Sequence, residues 1–137
     1  MSQENVEIVR RVFEAAAKRD AAALFDLYDP EVVWDNTQSP YVNLGAASVY
    51  EGHAGLREVF RQYREPWSEL VDVCDELIDA GERVFSQVRT RARGRRSGIE
   101  LEQAGFYGVW TVEAGKVTQV AWFSDRAKAL DAAGLPE

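Results

Sequence analysis

The sequence predicts an α+β domain. The expected architecture is a cone-shaped, curved antiparallel (mixed) sheet wrapped around three N-terminal helices, with a short C-terminal helix. Three observations predict it. Helical periodicity of apolar residues is confined to the segments before Pro66 and to a short stretch after Asp125. Four β-like runs separated by turn residues fill the interval between. Helices followed by a meander of long strands is the α+β order. At 137 residues the chain fits one domain with a single core, spanning 1–137.

Each element has its own signal. Ser2 can cap a first helix, with Glu4 in its first turn. Val6, Val9, Val12, Phe13, Ala16 and Ala17 then recur at helical spacing. A second short helix starts at Asp20 and is expected to bury Ala23, Leu24, Leu27 and Tyr28. Pro30 stops it, and Asp29, preceding a proline, is disfavoured in helical geometry. Val32 to Asp35 reads as a short strand. Asn36 to Val49, rich in Asn, Ser, Gly and Pro, reads as a loop. Its Tyr41, Val42 and Leu44 are apolar enough to fold over something. Gly52 to Gly55 opens a third helix with a buried stripe of Leu56, Val59, Phe60 and Tyr63, ended by Pro66. Strands are expected over roughly 68–79, 83–94, 99–113 and 116–124, with turns at Gly81, Gly94 to Gly98 and Ala114-Gly115. A last helix, Arg126 to Ala133, is capped by Asp125 and stopped by Gly134 and Pro136.

Composition narrows the function classes. Hydrophobic residues at 46% and charged residues at 28% are ordinary for a globular protein, and four Trp suffice to line a cavity as well as fill a core. The single Cys74 excludes an intramolecular disulfide and a cysteine zinc cluster, and the single His53 excludes a histidine-rich metal site. The first residues lack a signal-peptide layout, and no apolar run approaches the roughly 20 residues of a membrane span. A cytoplasmic protein without membrane association is the expectation. A net charge of −7 argues against nucleic-acid binding. Arg89, Arg91, Arg93, Arg95 and Arg96 oppose that average. The first three share one strand face, to be solvated or turned to a dimer partner, paired with the chain's own carboxylates, or used for an anion. On the expected third long strand, Leu101, Tyr107 and Val109 fall on one face and Phe106, Trp110 and Val112 on the other. A strand apolar on both faces needs cover on both, so a homodimer through the sheet is expected.

Asp35 is the first candidate for chemistry. It follows Val32-Val33-Trp34, so it is drawn toward a core, and a desolvated carboxylate can shuttle protons near neutral pH. Its alternative is an Asx-turn capping Asn36 to Ser39. His53, at a helix start, is a proton shuttle or ligand-binding group, or else a capping or surface residue. Cys74 reads as a small buried hydrophobe.

Four segments together resemble the nuclear transport factor 2-like superfamily, in its SnoaL-like and ketosteroid isomerase-like branch. They are Asn5 to Phe13, Leu27 to Asp35, Tyr50 to Phe60, and Gly115-Lys116-Val117 with Trp122 to Arg126. The resemblance implies a pocket inside a cone. It implies no single activity, because the superfamily holds isomerases, cyclases, hydrolases, dehydratases and non-catalytic binders. Ketosteroid isomerases use a carboxylate after the first strand as general base, and Asp35 matches that position. Their oxyanion hole pairs a first-helix Tyr with a protonated late-strand Asp. The late-strand position corresponds to Tyr107, which can also be a hydrogen-bonded core residue. The first-helix position falls at Val12-Phe13, where no hydroxyl exists. SnoaL-like cyclases use an Asp from another strand, and none lies between Asp79 and Asp125. Glu100 and Glu102 are expected on a solvated face.

Two readings follow. In the first, Asp35 transfers a proton on a small apolar carbonyl or polyketide-like compound, as an isomerase or cyclase would. Tyr107 and His53 stabilise the oxygen, and no metal or organic cofactor takes part. Tyr28, Trp34, Phe60, Tyr63 and Trp122 wall the pocket around the ligand. In the second, the domain binds a ligand or dimerises without catalysis, and Asp35 only organises its loop.

Overall fold

Asp20 accepts a hydrogen bond from the Ala23 amide at 3.1 Å, and this cap sets the start of the second helix. Asp125 does the same for the last helix through the Lys128 amide at 3.2 Å. Between such signals a computed structural model describes residues 2–39 and 47–136. Its elements are α1 (Ser2–Ala17), α2 (Ala21–Asp26), β1 (Tyr28–Gln38), β2 (Val49–Glu51), α3 (Gly52–Arg64), β3 (Trp67–Ala80), β4 (Arg83–Gly94), β5 (Glu100–Glu113), β6 (Lys116–Phe123) and α4 (Arg126–Ala133). The apolar loop residues Tyr41, Val42 and Leu44 lie outside the described residues. None of the described helices is long and apolar enough to cross a membrane.

The expected α+β class holds. One curved, mixed six-stranded sheet runs in the order β2-β1-β6-β5-β4-β3. Among the described residues only β1 and β6 pair in parallel. Its concave face and the first three helices enclose the main core, which includes Val9, Val12, Tyr28, Leu56, Val84, Trp110 and Val120.

Three expectations change. Tyr28 opens β1 and does not end α2, because Pro30 forces extended geometry on the residues around it. Asn36 to Gln38 and Val49 to Glu51 are strand, since β1 extends between β6 and the short β2. The face assignment of β5 also shifts. Two residues of β5, Ala104 and Gly105, oppose the single Arg89 of β4 between Val88↔Phe106 and Thr90↔Gln103, and Gly105 there has φ +90°. Such a bulge flips the alternation. Leu101 therefore shares the side of Ala92, Phe106 and Trp110, and not that of Tyr107 and Val109.

The convex side has a second core. Phe85, Val109, Phe123, Ala129, Leu130 and Ala133 cluster there, with Tyr107 and Ile78 packed on them. Helix α4 supplies three of these residues. Part of the sheet face that called for a partner is thus covered by the chain itself. The arginine strip lies beyond α4 on the same side. Arg89 pairs with Asp75 at 3.1 Å and Glu102 at 2.6 Å. Arg93 pairs with Glu100 and, at 3.7 Å, with Glu69.

Candidate functional site

Alternation along the strands decides which side chains reach the concave hollow. On β4, Val84, Ser86, Val88, Thr90 and Ala92 face inward and the intervening arginines outward. On β3, Leu70, Asp72 and Cys74 pair across from Ala92, Thr90 and Val88, so Asp72 faces inward. The helix α3 stripe brings Phe60 and Tyr63 over them. Two lobes result. The first, about 390 Å³, is lined mainly by Trp34, Phe60, Trp67, Val88, Phe106 and Trp122. The second, about 360 Å³, lies toward α1 and α2 and is lined by Phe13, Leu24, Phe25, Tyr28 and Trp110, among others. Phe60, Tyr63, Asp72 and Trp122 belong to both. These are ordinary sizes for small-molecule sites.

Asp72 is the carboxyl of this hollow. Its Oδ1 accepts from Thr90 Oγ1 at 2.7 Å and from the Tyr63 hydroxyl at 3.2 Å. The two hydroxyl oxygens are themselves 3.2 Å apart. Both bonds fall on Oδ1, so Oδ2 has no hydrogen bond among the described residues. Burial pushes the Asp72 carboxyl above the ordinary Asp range, against the lowering effect of Thr90, Tyr63 and the Arg64 charge. Tyr28, 2% exposed, has its hydroxyl pushed further up, by burial first and by the Asp72 charge second. The arrangement can hold a proton at Asp72 and offer a hydroxyl beside it.

The aromatic wall is continuous. Trp34 and Trp122 rings lie 5.7 Å apart, Trp110 and Trp122 5.6 Å apart. Trp34 meets Phe60 edge-on at 5.5 Å. Gly108 makes room for this wall. A Cβ there would sit 2.7 Å from Ser86 Oγ, 2.8 Å from Trp110 Nε1 and 3.1 Å from Trp122 Cζ3. It would break into the 2.9 Å bond that Trp110 Nε1 donates to the buried Ser86.

The residues singled out from the sequence separate into two groups. Tyr28, Trp34, Phe60, Tyr63 and Trp122 all line one lobe or both. Asp35, His53 and Tyr107 line neither. Asp35 Oδ1 accepts from the amide and hydroxyl of Thr37, at 2.8 and 2.6 Å, in an Asx-type turn. Its neighbours Trp34 and Asn36 take the lobe-facing positions of β1. His53 Nε2 lies 3.0 Å from the Tyr28 carbonyl, which can only accept, so the ring donates there and ties α3 to β1. Tyr107 stacks on Phe85 at 6.0 Å, beneath α4. The structure does not bring these three together. Sequence reasoning missed Asp72 and Thr90. Their signal was the alternation: Asp72 is in phase with Leu70 and Cys74, and Thr90 with Val84, Ser86 and Val88. Glu100 and Glu102 are exposed ion-pair partners. Among the described residues no three His, Cys, Asp or Glu side chains are grouped to hold a metal.

Comparison with known proteins agrees with this fold. The sequence matches the SnoaL-like domain over residues 9–120. The chain belongs to the SnoaL-like domain family. No curated protein matches it significantly. Among solved structures, this SnoaL-like chain is similar to a nuclear transport factor 2-like protein of Burkholderia thailandensis E264. The identity is 28% with TM-score 0.70, covering 96% of this chain and 97% of the other. It is similar to a nuclear transport factor 2-like protein of unknown function from Burkholderia pseudomallei K96243, at 25% identity and TM-score 0.74, covering 93% and 95%. TerC, co-crystallized with polyporic acid, shares the fold at 20% identity and TM-score 0.77, covering 96% and 98%.

Proposed function

We propose that this SnoaL-like domain catalyses proton transfer on a small, largely apolar carbonyl compound held in the two-lobed hollow, as an isomerase or cyclase does. Asp72 takes the role expected of Asp35. One observation carries the reading: a half-buried carboxyl, held through one oxygen by Tyr63 and Thr90, stands on the wall shared by both lobes. Desolvation makes that carboxylate a stronger base than a free Asp. It removes a proton from the carbon beside the carbonyl and returns it at another atom of the same compound. Tyr63, already within reach of the carboxyl, turns its hydroxyl to the oxygen that gains charge. The flat aromatic wall holds the substrate plane against the base.

A second reading is a ligand-binding module without chemistry. It is favoured by the hydroxyl partners themselves, because a structural buried carboxyl needs the same satisfaction. Deuterium exchange separates the two. The α-protons of 2-tetralone, an apolar ketone, are followed by NMR in deuterated buffer. The wild type is expected to accelerate exchange. Asp72→Asn should lose the acceleration by about 10²-fold or more, the usual scale of acid-base catalysis. Asp35→Asn should keep it. Equal exchange in wild type and Asp72→Asn, with 2-tetralone bound, favours the binding module.

A further inference from the structure

The second lobe carries two guanidiniums that the proton-transfer reading does not use. Arg19 and Arg64 both line it, from the ends of different helices. Arg64 is the last residue of α3. Arg19 stands in the turn between α1 and α2 with φ +56°, a left-handed conformation for a residue other than glycine. Neither guanidinium has a hydrogen bond or ion pair among the described residues. Arg10, Arg11, Arg61, Arg89, Arg93 and Arg126 pair with carboxylates; Arg57, Arg83, Arg91, Arg95 and Arg96 make no ion pair among the described residues either, but none of those five lines a lobe. The chain is acidic overall, at −7, so carboxylates to pair with are plentiful.

Apart from Tyr28, Tyr63 and Asp72, which lie on its walls, the rest of the lobe is apolar. Phe13, Leu24, Phe25 and Trp110 form its walls, and Ala16, Ala17 and Ala21 leave it open between α1 and α2. A largely apolar chamber with two guanidiniums that have no hydrogen-bonded carboxylate partner among the described residues fits one class of molecule. Burying the hydrocarbon supplies affinity without direction, whereas a guanidinium bonded to an anion fixes orientation. We propose that the second lobe takes an amphipathic monoanion, an apolar body with a carboxylate held by Arg19 and Arg64. The substrate of the proposed reaction is then an apolar carboxylic acid. Its acid end lies at the α1–α2 side and its reacting carbonyl carbon near Asp72. This assignment rests on the hollow being the substrate site. Arg64 also offsets the Asp72 charge, so the acid end and the base are held apart by a cation.

Isothermal titration calorimetry of the full chain with 2-naphthoic acid and 2-naphthamide tests the inference, since the pair differs mainly in charge. The acid is expected to bind at least about tenfold more tightly than the amide in low salt, a modest yield for charge-assisted bonds. Arg19→Gln with Arg64→Gln should abolish that preference and leave amide binding within about twofold. Added salt should weaken the acid alone. Equal binding of the two probes, failure of the acid to bind, or a preference that survives the double variant overturns the proposal. Repeating the titration in Asp72→Asn keeps the two ideas distinct. The preference should persist there, and its persistence does not depend on whether Asp72 catalyses anything.

Discussion

At the scale of the residue, the central fact is that Asp72 is half-buried on the hollow and Asp35 is spent on a turn. Both are acids that directly follow apolar residues, in strands that carry other acids as well. What separates them is phase: Asp72 shares a face with Leu70 and Cys74, while Asp35 sits between lobe-facing Trp34 and Asn36. The raised Asp72 carboxyl has a consequence for stability. Its folded state holds the proton more tightly than the unfolded chain does, where the ordinary value is 3.8. Its contribution is therefore full below pH 3.8 and is lost as pH rises through the elevated folded value. Asp72→Asn removes that loss and keeps an acceptor for Thr90 and Tyr63. Thermal melts should show the variant melting above wild type at neutral pH, with the difference fading as pH falls below 3.8. An Asn variant that melts lower at every pH would contradict this. The pocket walls were legible, because large aromatic residues at strand and helix phase have few other places to go. The acid was not legible, since choosing among carboxylates needs the strand register, which a single sequence leaves open. The resemblance to ketosteroid isomerases drew attention to Asp35, and the hollow here has its hydroxyls on α3 and β4, not on α1.

At the scale of the element, helix ends and turns were legible from caps, prolines and glycines. All four long strands lie within a residue or so of their expected bounds. What was not legible was long-range. The parallel pairing of β1 with β6 joins opposite ends of the chain, and together with the bond from the Asn36 amide to the Ser48 carbonyl it draws Asn36 to Gln38 out of the expected loop. The β5 bulge was equally hidden, because a one-residue insertion leaves no mark in composition while reversing every side chain beyond it. Gly105 makes it possible. Nothing lies within 4 Å of where a Cβ would be, so a substitution meets no neighbour and the cost is purely that of the backbone. Gly105→Ala should destabilise by about 1–2 kcal/mol in urea unfolding, with the lobes unchanged in volume. A neutral result would mean that the positive φ carries no strain.

At the scale of the whole molecule, the sheet has two differently dressed sides, a hollow aromatic concavity and a convexity shared by α4 and a charged strip. Exposed ion pairs such as those of Arg89 and Arg93 contribute only about 0–1 kcal/mol each, so the strip does not hold the fold together. Beyond α4 that side still shows Val71, 43% exposed, and Arg91 without an ion pair among the described residues. The expected homodimer through the sheet is proposed to use this open part. Light scattering after size exclusion should give twice the chain mass for wild type and a monomer for Val71→Arg; a monomeric wild type removes the dimer. The concave side has a different consequence. Trp34, Trp110 and Trp122 are close enough for their indole transitions to couple, with planes at 43° and 78° to one another across Trp122. Such coupled chromophores produce a paired, oppositely signed circular-dichroism signature that depends on mutual angle. Because Trp34 and Trp122 form part of the cavity wall, any molecule that slips beside them and tilts a ring rewrites that signature. The chain therefore carries its own optical gauge of occupancy, with no dye or label attached.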